Sequence, residues 1–417
     1  MSALPLSPLG NALRAAIGFE AAGEAAGNVT VGRGALDGRT LHAAFVENRL
    51  ASGSLGVKES QKLGALFRVA AVEKSPLVLF LDSAGAKVSE GLDALGGFRH
   101  LYHAGLECAF SGAPIAAVLG KNCYGGSSML AHLAARRLFS PNTQLAMSGP
   151  SILASAAGVS PLDEVFRAMA EASISPLARS KASGANTVWR EDDDVASWLR
   201  DALTARPDAT LASRERHEEL QSRLPKAALR VPEAVRRRDL EKIYSSYEAK
   251  ETDGIFEGRG VRETGEEAFV GAVGKSPLGI SRAWHLAEAA WRMLPAPPRR
   301  LEVFLDCATH AGRLEDEKAV LTEFIVDMAF ALHALGRRGT HVGMTVLGKA
   351  GGGVYVALAA PAQRVASVYG ADIQVLPGSA VAAILGESRE SAPTFDEYRK
   401  SRVADEEIKL GIVPETK

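Results

Sequence analysis

The run VLGKNCYGGSS at residues 118–128 returns in altered form as VLGKAGGGVYV at residues 346–356. Each copy is apolar up to Gly-Lys and then breaks into adjacent glycines. The stretches before them repeat as well, PLVLFLDSAGAK (76–87) answering RLEVFLDCATHAGR (300–313). Leu81-Asp82 aligns with Leu305-Asp306, 224 positions on (305 less 81), and Gly120-Lys121 with Gly348-Lys349, 228 positions on (348 less 120). Two landmarks at nearly one offset constrain the chain to an internal duplication, with too few copies for a solenoid.

The pattern inside each copy is strand, helix, strand. PLVLFLD and PIAAVLG (114–120) lack polar alternation, as expected of strands buried on both faces. VKESQKLGALFRVAAVEK (57–74) carries Leu63, Leu66, Phe67 and Ala70 at helical spacing. Helices are also expected over 88–112 and 125–137, and in the second copy over 317–339, before a strand and turn at 341–353. That order implies parallel strands joined by right-handed crossovers.

A length of 417 residues suits about two domains. Between the copies, residues 192–260 turn charged, with Pro207, Pro225 and Pro232 as breaks and Leu220, Leu224 and Leu229 interspersed. The expected organisation is therefore an N-terminal domain over 1–191, a charged helical connector over 192–260 and a C-terminal domain over 261–417. Arg236, Arg237 and Arg238 are the connector's densest positive cluster, a solvated face or a phosphate clamp.

A net charge of −1 gives no bulk electrostatic case for nucleic acid or an anionic membrane. Nothing reaches the ~18 uninterrupted apolar residues of a span, and the N-terminus lacks the charged-then-apolar order of a signal peptide. Cys108, Cys123 and Cys307 form no CxxC pair, so neither structural zinc nor a disulfide framework is expected. These features suit a cytoplasmic, soluble protein.

The chemistry is expected in the glycine turns. Glycine lets the backbone approach a ligand, and a helix start adds unpaired N–H groups and the positive end of a dipole. Two such donors converging on one oxygen form an oxyanion hole. The same glycines would also serve tight turns alone. Other signals fail: GAVGKSPLG (271–279) has Phe269 where a phosphate loop needs glycine, and there is neither a G-x-S-x-G elbow nor H-E-x-x-H. His103 and His132 read as structural, whereas His310 shares a turn with Cys307. Glu315, Asp316 and Glu317 complement a helix dipole. With backbone donors but no evident nucleophile or metal set, the inventory suits an enolate.

DSAGAKVSEG (82–91) resembles the S-G-G-A-R-x-x-E turn of acyl-CoA carboxylase carboxyltransferase subunits, with Ala84 and Lys87 replacing Gly and Arg. VLGKAGGGVYVAL (346–358) resembles their K-A-Y-G-G-A-Y-V-A-M segment. GSLGVKESQKL (53–63) and LAMSGPSIL (145–153) are similar to the β subunit of biotin-independent malonate decarboxylase, and residues 332–377 to its γ subunit.

The resemblance implies an α/β architecture of two crotonase-like (ββα spiral) domains in tandem. It implies a soluble carboxy-lyase or carboxyltransferase acting on a malonyl-type thioester of coenzyme A or a phosphopantetheine carrier protein, without metal. Carried over by position, Ala84, Gly85, Gly125 and Gly126 would form one oxyanion hole and Thr309, His310, Gly352 and Gly353 the other, with Lys87, Lys121 and Lys349 contacting substrate. Lys87 for Arg keeps charge and loses the bidentate fork. Sister subunits of a decarboxylase complex and self-association are further implications. The alternatives are a biotin-dependent carboxyltransferase, whose biotin carrier would be another subunit because no Met-Lys-Met occurs here, and a scaffold subunit without catalysis.

Overall fold

The computed structural model describes residues 7–159, 162–204, 208–225, 237–273, 276–376, 381 and 392–410. The chain divides into two compact units, one of Met1–Glu90, Gly97–Ala212 and Gly312–Val326, the other of Gly91–Gly96, Ser213–Ala311 and Asp327–Lys417. The stretch 192–260 is shared between them, and its last part is strand rather than helix. Arg236 and the side chains of Arg237 and Arg238 lie outside the described residues.

The first unit opens with α1 (Pro8–Ile17), started by the Ser7 hydroxyl accepting the Gly10 N–H at 3.1 Å. Its strands are β1 (Glu20–Ala21), β2 (Val29–Leu36), β3 (Arg39–Val46), β4 (Leu77–Ser83), β5 (Ile115–Tyr124), β6 (Arg136–Phe139), β7 (Gln144–Ala146) and β8 (Asn186–Val188). They form one sheet in the order β1-β2-β3-β4-β5-β6-β8, with β7 beside the end of β5. The β1-β2-β3 pairs are antiparallel and every later pair is parallel. The helices are α2 (Val57–Glu73), α3 (Gly91–Phe110), α4 (Gly126–Ala131), α5 (Pro150–Ala156), α6 (Glu164–Ile174), α7 (Pro176–Ala182) and α8 (Val195–Ala202). Leu9, Leu13 and Ile17 of α1 bury against Phe45, Phe80 and Val118 of the sheet and Leu199 of α8. The helix expected over 125–137 stops at Ala131, because residues 136–139 are taken into the sheet as β6.

The second unit receives most of α9 (Ala209–Gln221), then α10 (Arg237–Ile243), β9 (Ser246–Thr252), β10 (Ile255–Arg262), β11 (Gly265–Val273), α11 (Ile280–Met293) and β12 (Arg300–Cys307). After α12 (Leu314–Lys318) and α13 (Leu321–Arg337) come β13 (His341–Gly351), α14 (Gly352–Ala359), β14 (Arg364–Val368), β15 (Asp372–Gln374) and β16 (Glu406–Ile408). The sheet order is β16-β14-β13-β12-β11-β10-β9, with β15 beside the end of β13. Its core is aromatic: Phe256, Phe269 and Phe304 pack with ring centroids 5.8 to 6.2 Å apart. The helix expected without interruption over 317–339 is broken at Val320, whose φ of 66° is left-handed, a conformation a β-branched residue rarely adopts. The break ends the five-residue α12, which lies in the first unit together with the start of α13 as far as Val326.

Candidate active site

Both sheets build the same irregularity where two parallel strands part. In the first, Leu81 pairs with Leu119 and Ser83 with Cys123, so three residues of β5 face Asp82 alone. In the second, Leu305 pairs with Val346 and Cys307 with Ala350, so three residues of β13 face Asp306. The aspartate closes each bulge: Asp82 Oδ1 accepts the Asn122 N–H at 3.1 Å and Asp306 Oδ1 the Lys349 N–H at 2.7 Å. A Cβ on Gly120 would lie 2.7 Å from Asp82 Cβ, and one on Gly348 2.3 Å from Asp306 Oδ1. The registers therefore match Lys349 with Asn122, not with the Lys121 that local sequence suggests. The Gly-Lys pair sits one place apart in the two bulges, and short identity misses that slip.

Past each bulge the strand enters a helix through a left-handed glycine, Gly125 at φ 53° and Gly352 at φ 55°. Gly125 N–H donates to the Ala146 and Met147 carbonyls, both at 3.2 Å. Gly126 follows as the first residue of α4, where an N–H has no intrahelical acceptor. Gly353 follows Gly352 in the same way, as the second residue of α14.

The turn after β4 comes to the same place, since a Cβ on Gly85 would be 2.7 Å from the Tyr124 carbonyl and 3.4 Å from Gly126 N. Ala84 N–H, however, donates to Ser52 O at 2.9 Å and Gly85 N–H to Ser83 Oγ at 3.1 Å. Leu55 N–H donates to Gly85 O and Lys87 N–H to Leu55 O, which leaves the N–H of Ala86 outside that bridge. In the second unit Leu278 N–H donates to Thr309 O and Ala311 N–H to Leu278 O, setting His310 in the place of Ala86. The arrangement thus brings Gly85 and Gly126 together in one unit, with Ala86 next in the turn. In the other, Thr309, His310 and Gly352 meet: a Cβ on Gly352 would lie 3.7 Å from Thr309 Oγ1 and 3.8 Å from His310 Nδ1. Ala86 was not readable from sequence, because only the parallel bridge with Leu55 reveals which amide of the turn the ladder spares.

Side chains at the turns are muted. Burial lowers His310 to about 4, so the imidazole is neutral near pH 7. Burial pushes the Cys123 thiol up to about 12 and raises Cys307, which keeps both from acting as thiolates. Lys87 is engaged by Glu90 at 2.8 Å, and Glu90 also accepts the Val57 N–H. Lys121 and Lys349 are exposed.

The acidic run lies in the first turn of α12, as the helix-dipole expectation has it, and each carboxylate also has a side-chain partner. Asp316 pairs with Arg313 at 2.6 Å and Glu315 with Lys318 at 2.7 Å. Glu317 is fully buried and pushed up to about 7 by burial, which outweighs the opposing pull of Arg179. Its Oε1 accepts the Ser148 N–H at 2.8 Å.

Residues 5–248 match the carboxyl transferase domain family, more than half of the chain. The chain belongs to that family. Over 188 residues it is 30% identical to the methylmalonyl-CoA carboxyltransferase 12S subunit of Propionibacterium freudenreichii subsp. shermanii, covering 45% of this chain and 34% of that protein. Over 170 residues it is 29% identical to the methylmalonyl-CoA decarboxylase subunit alpha of Veillonella parvula, covering 40% and 32%. The chain thus spans about a third of the length of these relatives. A solved Pseudomonas malonate decarboxylase hetero-tetramer in complex with malonate aligns with 56% of this chain and 95% of its own, at 23% identity and a TM-score of 0.47. Each of the two α/β units carries the same bulge and glycine turn. Among the described residues, no helix is long and apolar enough to cross a membrane, and no group of three or more His, Cys, Asp or Glu could hold a metal ion.

Proposed function

We propose that the chain decarboxylates a malonyl-type thioester, holding the enolate with backbone amides at the glycine turns. One observation carries the reading: a left-handed glycine followed by an amide at a helix start is built twice, at Gly125-Gly126 and Gly352-Gly353, in a chain of the carboxyl transferase domain family. Within each unit, Ala86 with Gly126, or His310 with Gly353, is the pair of amides best placed to receive one thioester oxygen. Cleavage of the bond to the β-carboxylate releases CO2 and leaves its electron pair on the α-carbon. Delocalisation onto the thioester oxygen gives the enolate, and a proton delivered to the α-carbon completes the acyl product. Each donor aimed at that oxygen contributes about 3 kcal/mol to the barrier reduction. The thioester is expected on coenzyme A or a phosphopantetheine carrier.

A second reading, transfer of the carboxylate to or from carrier-bound biotin, is favoured by the similarity to the methylmalonyl-CoA carboxyltransferase 12S subunit. Purified protein is incubated with malonyl-CoA and with methylmalonyl-CoA, with and without avidin, and the acyl product and CO2 are followed. Avidin-resistant release supports decarboxylation. Turnover that requires an added biotinyl carrier supports the transferase and overturns the first reading.

A further inference from the structure

We propose that Glu317 is a positioning residue for the Gly125-Gly126 turn, delivered from the second half of the sequence into the first unit. This rests on the reading of the Gly126 amide as an oxyanion donor. The chain of contacts is short. Glu317 Oε1 accepts the Ser148 N–H at 2.8 Å, and Oε2 lies 3.4 Å from Arg179 Nη2. Arg179 Nε donates to Leu145 O at 2.7 Å, and its Nη1 donates to the Glu317 carbonyl. Glu317 and Arg179 thereby grip both ends of residues 145–148. The two carbonyls between those ends, Ala146 and Met147, receive the Gly125 N–H. Moving this segment moves the acceptors that hold Gly125 in its left-handed conformation, and with it the direction of the next amide, that of Gly126.

The same segment secures α4 from another side. Thr322 Oγ1 lies 3.1 Å from Ser128 Oγ, and Ser128 Oγ donates to the Gly125 carbonyl at 2.7 Å. Glu323 reaches Arg137 at 3.4 Å and His132 at 3.7 Å. Glu317 differs from these in acting on the acceptors of the turn itself. Its two oxygens face only Arg179 and backbone amides within hydrogen-bond reach among the described residues, with Asp316 as the neighbouring charge.

The experiment grades the contact in the full chain. E317Q keeps an acceptor for Ser148 and loses the charge facing Arg179, whereas E317A loses both. Hydrogen exchange at the Gly125 amide is expected to quicken about fivefold in E317Q and further in E317A, while amides of β3 keep wild-type rates. With malonyl-CoA or methylmalonyl-CoA, kcat is expected to fall in the same order with KM within twofold of wild type. Should E317A fail to fold, the isosteric E317Q decides alone. Wild-type exchange at Gly125 in E317Q, or an equal loss of protection in β3, overturns the proposal. The exchange readout needs no turnover, so a protein that processes neither thioester overturns the functional reading while leaving this one to stand or fall by itself.

Discussion

Asp306 Oδ1 accepts the Lys349 N–H at 2.7 Å across the bulge between β12 and β13. The contact fixes how far β13 overshoots its neighbour before Gly352, as Asp82 does for β5. Asp306 is 4% exposed, and removing its carboxylate takes the acceptor from the part-buried Lys349 amide. D306A is expected to cost about 1–3 kcal/mol, and D306N, which keeps an acceptor, visibly less. Thermal denaturation of the two variants checks this. Equal losses would mean that the charge, not the acceptor, closes the bulge.

The glycine turns make a sharper prediction. A Cβ on Gly126 would lie 2.6 Å from the Phe98 ring, and Gly125 holds a φ of 53°. G126V must displace either the ring or the start of α4, and G125A pays about 1–2 kcal/mol for the left-handed conformation. Both are expected to lower kcat by roughly 10²-fold or more, the loss seen when an oxyanion donor is misplaced. Steady-state kinetics on malonyl-CoA and methylmalonyl-CoA measure it. Unchanged kcat in G126V would remove the turn from the chemistry and favour a scaffold role.

Much of this was legible in the sequence, and the misses share a cause. The parallel core showed in the unbroken apolar runs of 76–82 and 114–120, and the duplication in Leu-Asp and Gly-Lys. What failed depended on partners far along the chain. Ala86 is singled out only by its bridge to Leu55. Lys349 matches Asn122 because of a bulge that local identity cannot register. Val320 carries no composition signal for a break, yet that break lets α12 leave its expected helix. Glu317 read as a helix-dipole complement and no more, because Arg179 and Ser148, 138 and 169 positions away, are invisible to a local window.

Glu317 also sets a pH dependence of stability. Its folded value of about 7 lies above the ordinary 4.5, so the folded state holds this proton more tightly than the unfolded one. Stability at this site is therefore lost as pH rises from 4.5 through 7, by up to about 3 kcal/mol. E317Q carries no such proton. Its melting temperature relative to wild type is expected to improve between pH 5 and pH 8, the range over which the wild-type carboxyl must ionise in its buried site. A difference that stays flat over that range would place the carboxyl's folded value near its ordinary one.

His217 on α9 gives the same sign, through a paired cation rather than a neutral acid. Its Nδ1 lies 2.6 Å from Asp327 Oδ2 and its Nε2 2.9 Å from Glu288 Oε2, with the ring stacked on Trp284 at 5.0 Å. Trp291 Nε1 donates to the other Asp327 oxygen at 3.0 Å, which keeps that carboxylate aimed at the imidazole. Burial works to lower the His217 value, but the hydrogen bond and charge of Asp327, joined by Glu288, outweigh it and hold it above 6.5. A raised folded value means the stabilisation is complete below pH 6.5 and is lost as pH climbs through that folded value. H217A removes a buried, doubly paired cation and is expected to cost about 3–5 kcal/mol at pH 6. The penalty shrinks as pH climbs through the folded value, because wild type then surrenders the same charge. Urea unfolding of both proteins at pH 6, 7.5 and 9 reads the trend. A penalty that holds constant across the three would mean that the stack on Trp284, and not the charge between Asp327 and Glu288, anchors α9 in the second unit.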